Sequence, residues 1–142
     1  MAVAAATINI YPYPRGTDNT QRMHYVRGTF SIATGGTYPP GGFPLNWNNL
    51  EQIKAIPLNS SNTAPSTATT ILPIQVQVAS SQNPPSGYIY LVDGVLGNLH
   101  IFETDNGAGG SSASGPLLEI GGAIDNKIVT DVIQFEAVFV RE

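Results

Sequence analysis

No cysteine occurs in the 142 residues, which removes disulfides, thiolate metal sites and thiol nucleophiles together. Charge is scarce as well: 11% of residues are charged and six are basic. Affinity for phosphate backbones comes from Lys and Arg displacing counterions, so six cations and a formal net charge of −4 argue against a nucleic-acid partner. Arg15, Arg22 and Arg27 fall in the first quarter, but arginines spread along an extended stretch suit solvent-facing or carboxylate-pairing roles. No apolar run approaches the ~20 residues of a membrane span. The opening MAVAAATINI has neither a basic n-region nor a long enough apolar stretch for a signal peptide; the expectation is a protein made in the cytoplasm, with no membrane partner. No long segment carries the 3.6-residue period of an amphipathic helix.

What is there is β-type alternation, broken by turns. Hydrophobic residues make up 42% of the chain, and 15 glycines and 11 prolines punctuate it without a collagen period. A chain of this length buries about 70% of its unfolded surface, enough for a single domain. The clearest strand is the last: Ile133, Phe135, Ala137 and Phe139 share one side, Gln134 and Glu136 the other, as expected of a strand with one packed face. Met23 to Ala33 reads the same way, with His24, Val26, Gly28, Phe30 and Ile32 on one side and Tyr25, Arg27, Thr29 and Ser31 on the other. Ile71 to Ala79 alternates Ile74, Val76 and Val78 against Gln75 and Gln77, and Pro73 at its start suggests a sheet edge. Tyr88 to Val92 and Asn98 to Thr104, joined through Asp93 and Gly94, form a hairpin. Ala2 to Ile10, Ile53 to Leu58 and Leu117 to Ile120 read as further strands, and Asp125–Asn126 as a turn before Ile128. Asn46 to Ile53 tolerates at most one helical turn.

About eight short strands separated by turn signals describe an all-β protein: a jelly-roll-like antiparallel β-sandwich over residues 21–142. Residues 1–20 read as an extended N-terminal arm. Pro12 and Pro14 withdraw backbone donors and favour extension, which leaves Tyr11, Tyr13 and Arg15 to pack on the same subunit or on a neighbour.

Reactive chemistry is thin. His24 and His100 sit on strands away from any nucleophile motif, and His100 reads as a packed or surface residue on the face of Phe102. Asp93, Glu103 and Asp105 flank the hairpin, where oxygen ligands hold calcium in other proteins; Asp105-Asn106-Gly107 lacks the remaining alternating ligands and reads equally as a turn. Glu103, Glu119 and Glu136 lie on different strands, with no legible cleft to make a glycosidase pair. No phosphate-binding glycine motif is present. The expectation is no catalytic residue, no metal, no cofactor and no small-molecule substrate. Trp47, beside Asn46, Asn48 and Asn49, is suited to stacking on a sugar or anchoring an interface, or else to plugging an open end of the sandwich.

The runs GYIYLVDG, NLHIFET, the glycine-rich 107–115, PLLEIGGAI and IVTDVIQFEAVFVRE follow in that order over residues 87–142. They resemble small structural proteins of tailed bacteriophages, of the head decoration or cement kind, and residues 23–33 match more weakly. The resemblance implies a protein of the virion, on the capsid exterior, often a homotrimer, that clamps subunits of the major capsid protein. No functional residue carries over, because the role of such proteins resides in surfaces. From the residues themselves, Tyr11, Pro12, Tyr13, Pro14, Arg15 and Trp47 are the interface candidates. The alternative is a carbohydrate-binding β-sandwich, such as a receptor-recognition or fibre-tip domain, using Trp47 and the tyrosines.

Overall fold

The computed structural model describes residues 2–17, 23–47, 72–80, 87–104 and 117–140. Their order is β1 (Ala6–Thr17), β2 (Met23–Ile32), β3 (Gln75–Ser80), β4 (Tyr88–Val92), β5 (Leu99–Thr104), β6 (Leu117–Glu119), a one-turn helix α1 (Asn126–Val129) and β7 (Ile133–Val140). Two antiparallel sheets result: a four-stranded sheet in the order β1-β2-β7-β3 and a three-stranded one in the order β4-β5-β6. The all-β class is therefore as the alternation implies. The expected strand Ile53–Leu58, the Asn48–Ile53 part of the helix-tolerant stretch, Asp105 and the 107–115 tip lie outside the described residues.

One core serves both sheets. Val26, Phe30 and Ile32 on β2 and Ile133, Phe135, Ala137 and Phe139 on β7 meet Tyr90, Val92, Leu99 and Ile101 from the smaller sheet. Those on β2 and β7 are the period-2 positions read from the sequence. Placing β7 between β2 and β3 explains why its apolar side is the most completely buried. β3 is an edge strand, so the missing donor of Pro73 just before it costs no ladder bond. A buried carboxylate ties the two sheets: Asp131 accepts from Ser80 Oγ of β3 at 2.5 Å and from the Tyr90 hydroxyl of β4 at 2.7 Å.

Two expectations are corrected. The strand expected over Ala2 to Ile10 is present from Ala6, but the arm drawn over residues 1–20 is strand as far as Thr17: β1 pairs with β2 from Ala6 to Ile10 and again from Arg15 to Thr17, with a register shift between. Pro12, Tyr13 and Pro14 occupy that shift, where missing N–H groups interrupt pairing without ending the strand, and the edge position accommodates the break. The turn at Asp125–Asn126 is the start of α1, where the Asp125 side chain caps the Lys127 N–H at 2.8 Å and satisfies an orphan donor. Ile128 is consequently buried from the helix rather than from the final strand.

Candidate functional site

The smaller sheet turns an unusual face outward. In β4 the alternation buries Tyr90 and Val92, while the intervening positions are also apolar: Ile89 and Leu91 remain 46% and 52% exposed. Cross-strand register places Ile89 opposite Phe102 and Leu91 opposite His100, with Phe102 opposite Glu119 on β6. Leu117 on the same side of β6, and Val95 and Leu96 in the β4–β5 turn, are exposed too. A sheet face in water is normally polar; a contiguous apolar patch marks a surface that meets something. The sequence signal was the unbroken apolar run of β4, hydrophobic in both phases of the alternation. It was legible in YIYLV.

One end of this face is organised by charge. His100 Nδ1 lies 2.7 Å from Glu119 Oε1, and Nε2 lies 3.0 Å from Asp93 Oδ2. Glu119 Oε1 also accepts from the Tyr38 hydroxyl at 2.5 Å, and the Tyr38 oxygen accepts from the Ile101 N–H at 3.2 Å. Asp93 in turn accepts the N–H groups of Val95, Leu96 and Asn98, which sets the shape of the turn carrying the two exposed apolar side chains. The 33–47 segment is drawn in by paired backbone bonds between Phe43 and Leu99. Gly42, at φ +85°, lies under the imidazole; a Cβ there would sit 2.9 Å from the Leu99 carbonyl oxygen and 3.1 Å from the His100 ring.

Both ring nitrogens of His100 face carboxylate oxygens, and only the imidazolium has two N–H groups to donate. Burial by itself would depress the histidine, but the hydrogen bonds to Glu119 and Asp93 outweigh it and raise His100 above its ordinary 6.5. Glu119 is held low, chiefly by the Tyr38 hydroxyl and then, against burial, by His100. Burial opposes ionisation of Asp93, but the Leu96 N–H, His100 and the other turn amides more than offset it. Tyr38 is raised by its burial and by its bond to Glu119. The arrangement is a tie between the hairpin turn, β6 and the 33–47 segment. Both ring nitrogens of His100 are engaged by carboxylates within it.

This tie has a pH signature. A folded-state value above the unfolded 6.5 means that the imidazolium's contribution is complete below 6.5 and is lost as pH rises through the raised value. The depressed carboxylates act oppositely: their contribution is present above their unfolded values and is lost as pH falls through the folded ones. Melting temperature is expected to peak in the mildly acidic window between these limits and to decline on the alkaline side. His100→Gln should flatten the alkaline decline. Thermal melts across pH check this, and an equally steep decline in the variant would remove His100 as the cause.

The residues singled out from the sequence do not converge. Tyr11 is 39% exposed on the outer side of the four-stranded sheet. Pro12, Tyr13 and Pro14 lie in the register break of β1, and Arg15 is where pairing resumes, opposite Val26. Trp47 is 1% exposed, so as an exposed anchor it is corrected: the indole is a core plug, packed edge-on against Phe30, Phe135 and Phe139. Of the acidic residues, Asp93 and Glu119 meet at His100, while Glu136 pairs with Arg27. Among the described residues no group of three or more His, Asp or Glu side chains is arranged to hold a metal ion. The Asp93–His100–Glu119 tie was missed because its members are seven and nineteen residues apart in sequence; only the hairpin register and β6 pairing bring them together.

The fold and the surface define a two-sheet, all-β protein with an exposed apolar sheet face. Compared with protein-family models, curated proteins and solved structures, the chain matches none.

Proposed function

We propose that this protein is a capsid decoration or cement protein of a tailed bacteriophage, built as a jelly-roll-like sandwich of about eight strands and acting as a homotrimer without catalysis. The observation that carries the reading is the outer face on which Ile89, Leu91 and Leu117 are exposed beside a half-buried Phe102. Together with the resemblance of residues 87–142 to decoration proteins, it supports a mechanism of surface burial. A face of fixed strand geometry keeps its shape on contact, so little ordering entropy opposes association. The partner on this reading is the major capsid protein, and the location is the capsid exterior.

The test is co-sedimentation of purified protein with assembled phage heads that lack it. Wild type is expected to sediment with the heads. The double variant Ile89→Asp, Leu91→Asp places two charges in the patch and should weaken binding at least about tenfold, or ~1.4 kcal/mol. Because both positions face solvent, the melting temperature should stay the same. Undiminished binding by a folded variant would remove this face as the contact, and failure of wild type to bind would remove the reading itself. Solution mass by light scattering checks the trimer.

A further inference from the structure

The other sheet presents a surface of opposite character, which the capsid reading does not use. Near its middle the outward positions are mostly polar, and only Arg27 and Glu136 among them are charged. Arg27, Glu136 and Gln77 stand directly opposite one another on β2, β7 and β3, and Thr29, Gln134 and Ala79 form the next row. Long side chains in the first row and short ones flanking Gln134 in the second leave a depression. It is a groove of about 500 Å³, bordered by Tyr11 at one side and by β3 at the other, with Val78, Ala79 and Phe135 adding apolar surface to its lining.

We propose that this groove binds a neutral saccharide chain. Sugar hydroxyls both donate and accept, and they are matched by groups that do both. Gln77 and Gln134 each offer an amide oxygen and an NH₂ group; Arg27 adds donors and Glu136 acceptors. Arg27 Nε donates to Glu136 Oε2 at 2.5 Å, so the two charges compensate within the groove and the surface favours an uncharged ligand. Tyr11, 39% exposed at the groove's border, supplies a ring on which the C–H face of a pyranose packs.

Competing ligands fit less well. An extended peptide adds to a sheet edge, whereas this groove lies on a sheet face, where the long outward side chains are two amides and a compensated ion pair. A nucleic acid requires uncompensated cations, and Arg27 is already paired. Trp47 takes no part, being inside the core.

The experiment is an NMR titration of the ¹⁵N-labelled full chain with maltohexaose, cellohexaose, xylohexaose, mannohexaose and chitohexaose in turn, with hexagalacturonate as the anionic comparison. At least one neutral chain is expected to give saturable shifts at Arg27, Gln77, Gln134 and Glu136, with the Trp47 indole signal unmoved. Gln134→Ala and Tyr11→Ala, both at exposed positions, should each weaken that binding about tenfold without changing the melting temperature. No saturable shift with any neutral chain at ~10 mM would overturn the proposal. So would preference for hexagalacturonate, or binding that both variants leave intact. Since the decoration reading is tested on the opposite sheet with phage heads, either can fail without the other.

Discussion

Replacing Trp47 with Ala is expected to cost about 3–5 kcal/mol of stability, the range for removing a large aromatic from a close-packed core. The indole makes edge-on contacts with Phe30, Phe135 and Phe139 at centroid distances of 6.1, 5.7 and 6.2 Å. Its Nε1–H donates to the Gly97 carbonyl at 3.2 Å, so the one polar atom of the ring is satisfied inside the core. These contacts join β2 and β7 of the larger sheet to the β4–β5 turn of the smaller one. Truncation therefore opens a cavity where the two sheets share their packing, and strands in register on both sides have little freedom to collapse into it. Urea denaturation and thermal melting measure the loss; at this chain length the melting temperature should fall by roughly 10 °C or more. Trp47→Phe should lose less, keeping most of the ring packing while giving up the hydrogen bond. A cost below ~1 kcal/mol for Trp47→Ala, typical of exposed sites, would contradict the central position assigned to this residue.

Gly28→Ala is the second large effect, and it acts by the opposite mechanism, overpacking. Gly28 sits in β2 with Ile10 of β1 on one side and Phe135 of β7 on the other. A Cβ there would lie 2.0 Å from the Asn9 carbonyl oxygen and 2.9 Å from the edge of the Phe135 ring. The ring contact could be relieved by rotation, although Phe135 is also stacked on Phe30 at 4.4 Å. The carbonyl belongs to the backbone and cannot move without pulling β1 from β2. A loss of about 1–3 kcal/mol or more is expected, read as a lower urea midpoint. Phe135→Leu in the same chain should restore little of it, because the worse clash is with backbone. Substantial rescue by Phe135→Leu would instead place the strain in the ring.

Gly28 also shows how far a sequence pattern reaches. Alternation places it on the inward side of β2 beside Val26 and Phe30, and that is where it lies. Nothing local says why the position is empty. The reason is the approach of a neighbouring strand at the place where β1 shifts register, a feature of pairing between distant segments. The N-terminal prolines make the same point. Pro12 and Pro14 do interrupt hydrogen bonding, as their chemistry requires, but the residues on both sides of the break still find β2. Deleting residues 1–14 would accordingly remove most of a sheet strand along with any contact it makes.

Trp47 had two readings because its neighbours in sequence are asparagines, whose polarity says nothing about the far side of the chain. Burial was settled by Phe30, Phe135 and Phe139, which converge on it from strands more than fifteen residues away or from the opposite end of the protein. His100 likewise read as an ordinary strand residue, and its two carboxylate partners came from a turn and from another strand.

By itself the sequence determined the all-β class, the inward side of β2, β3 and β7, and the β4–β5 hairpin, because side-chain alternation and turn chemistry are properties of neighbouring residues. Tertiary structure alone decided which strands share a sheet, that Trp47 is core, that Asp93, His100 and Glu119 form one tie, and that Tyr11 borders a groove on the outer side of the larger sheet. Each of those depends on register between segments far apart in the chain, and register is set by the packing of the whole rather than by any local preference.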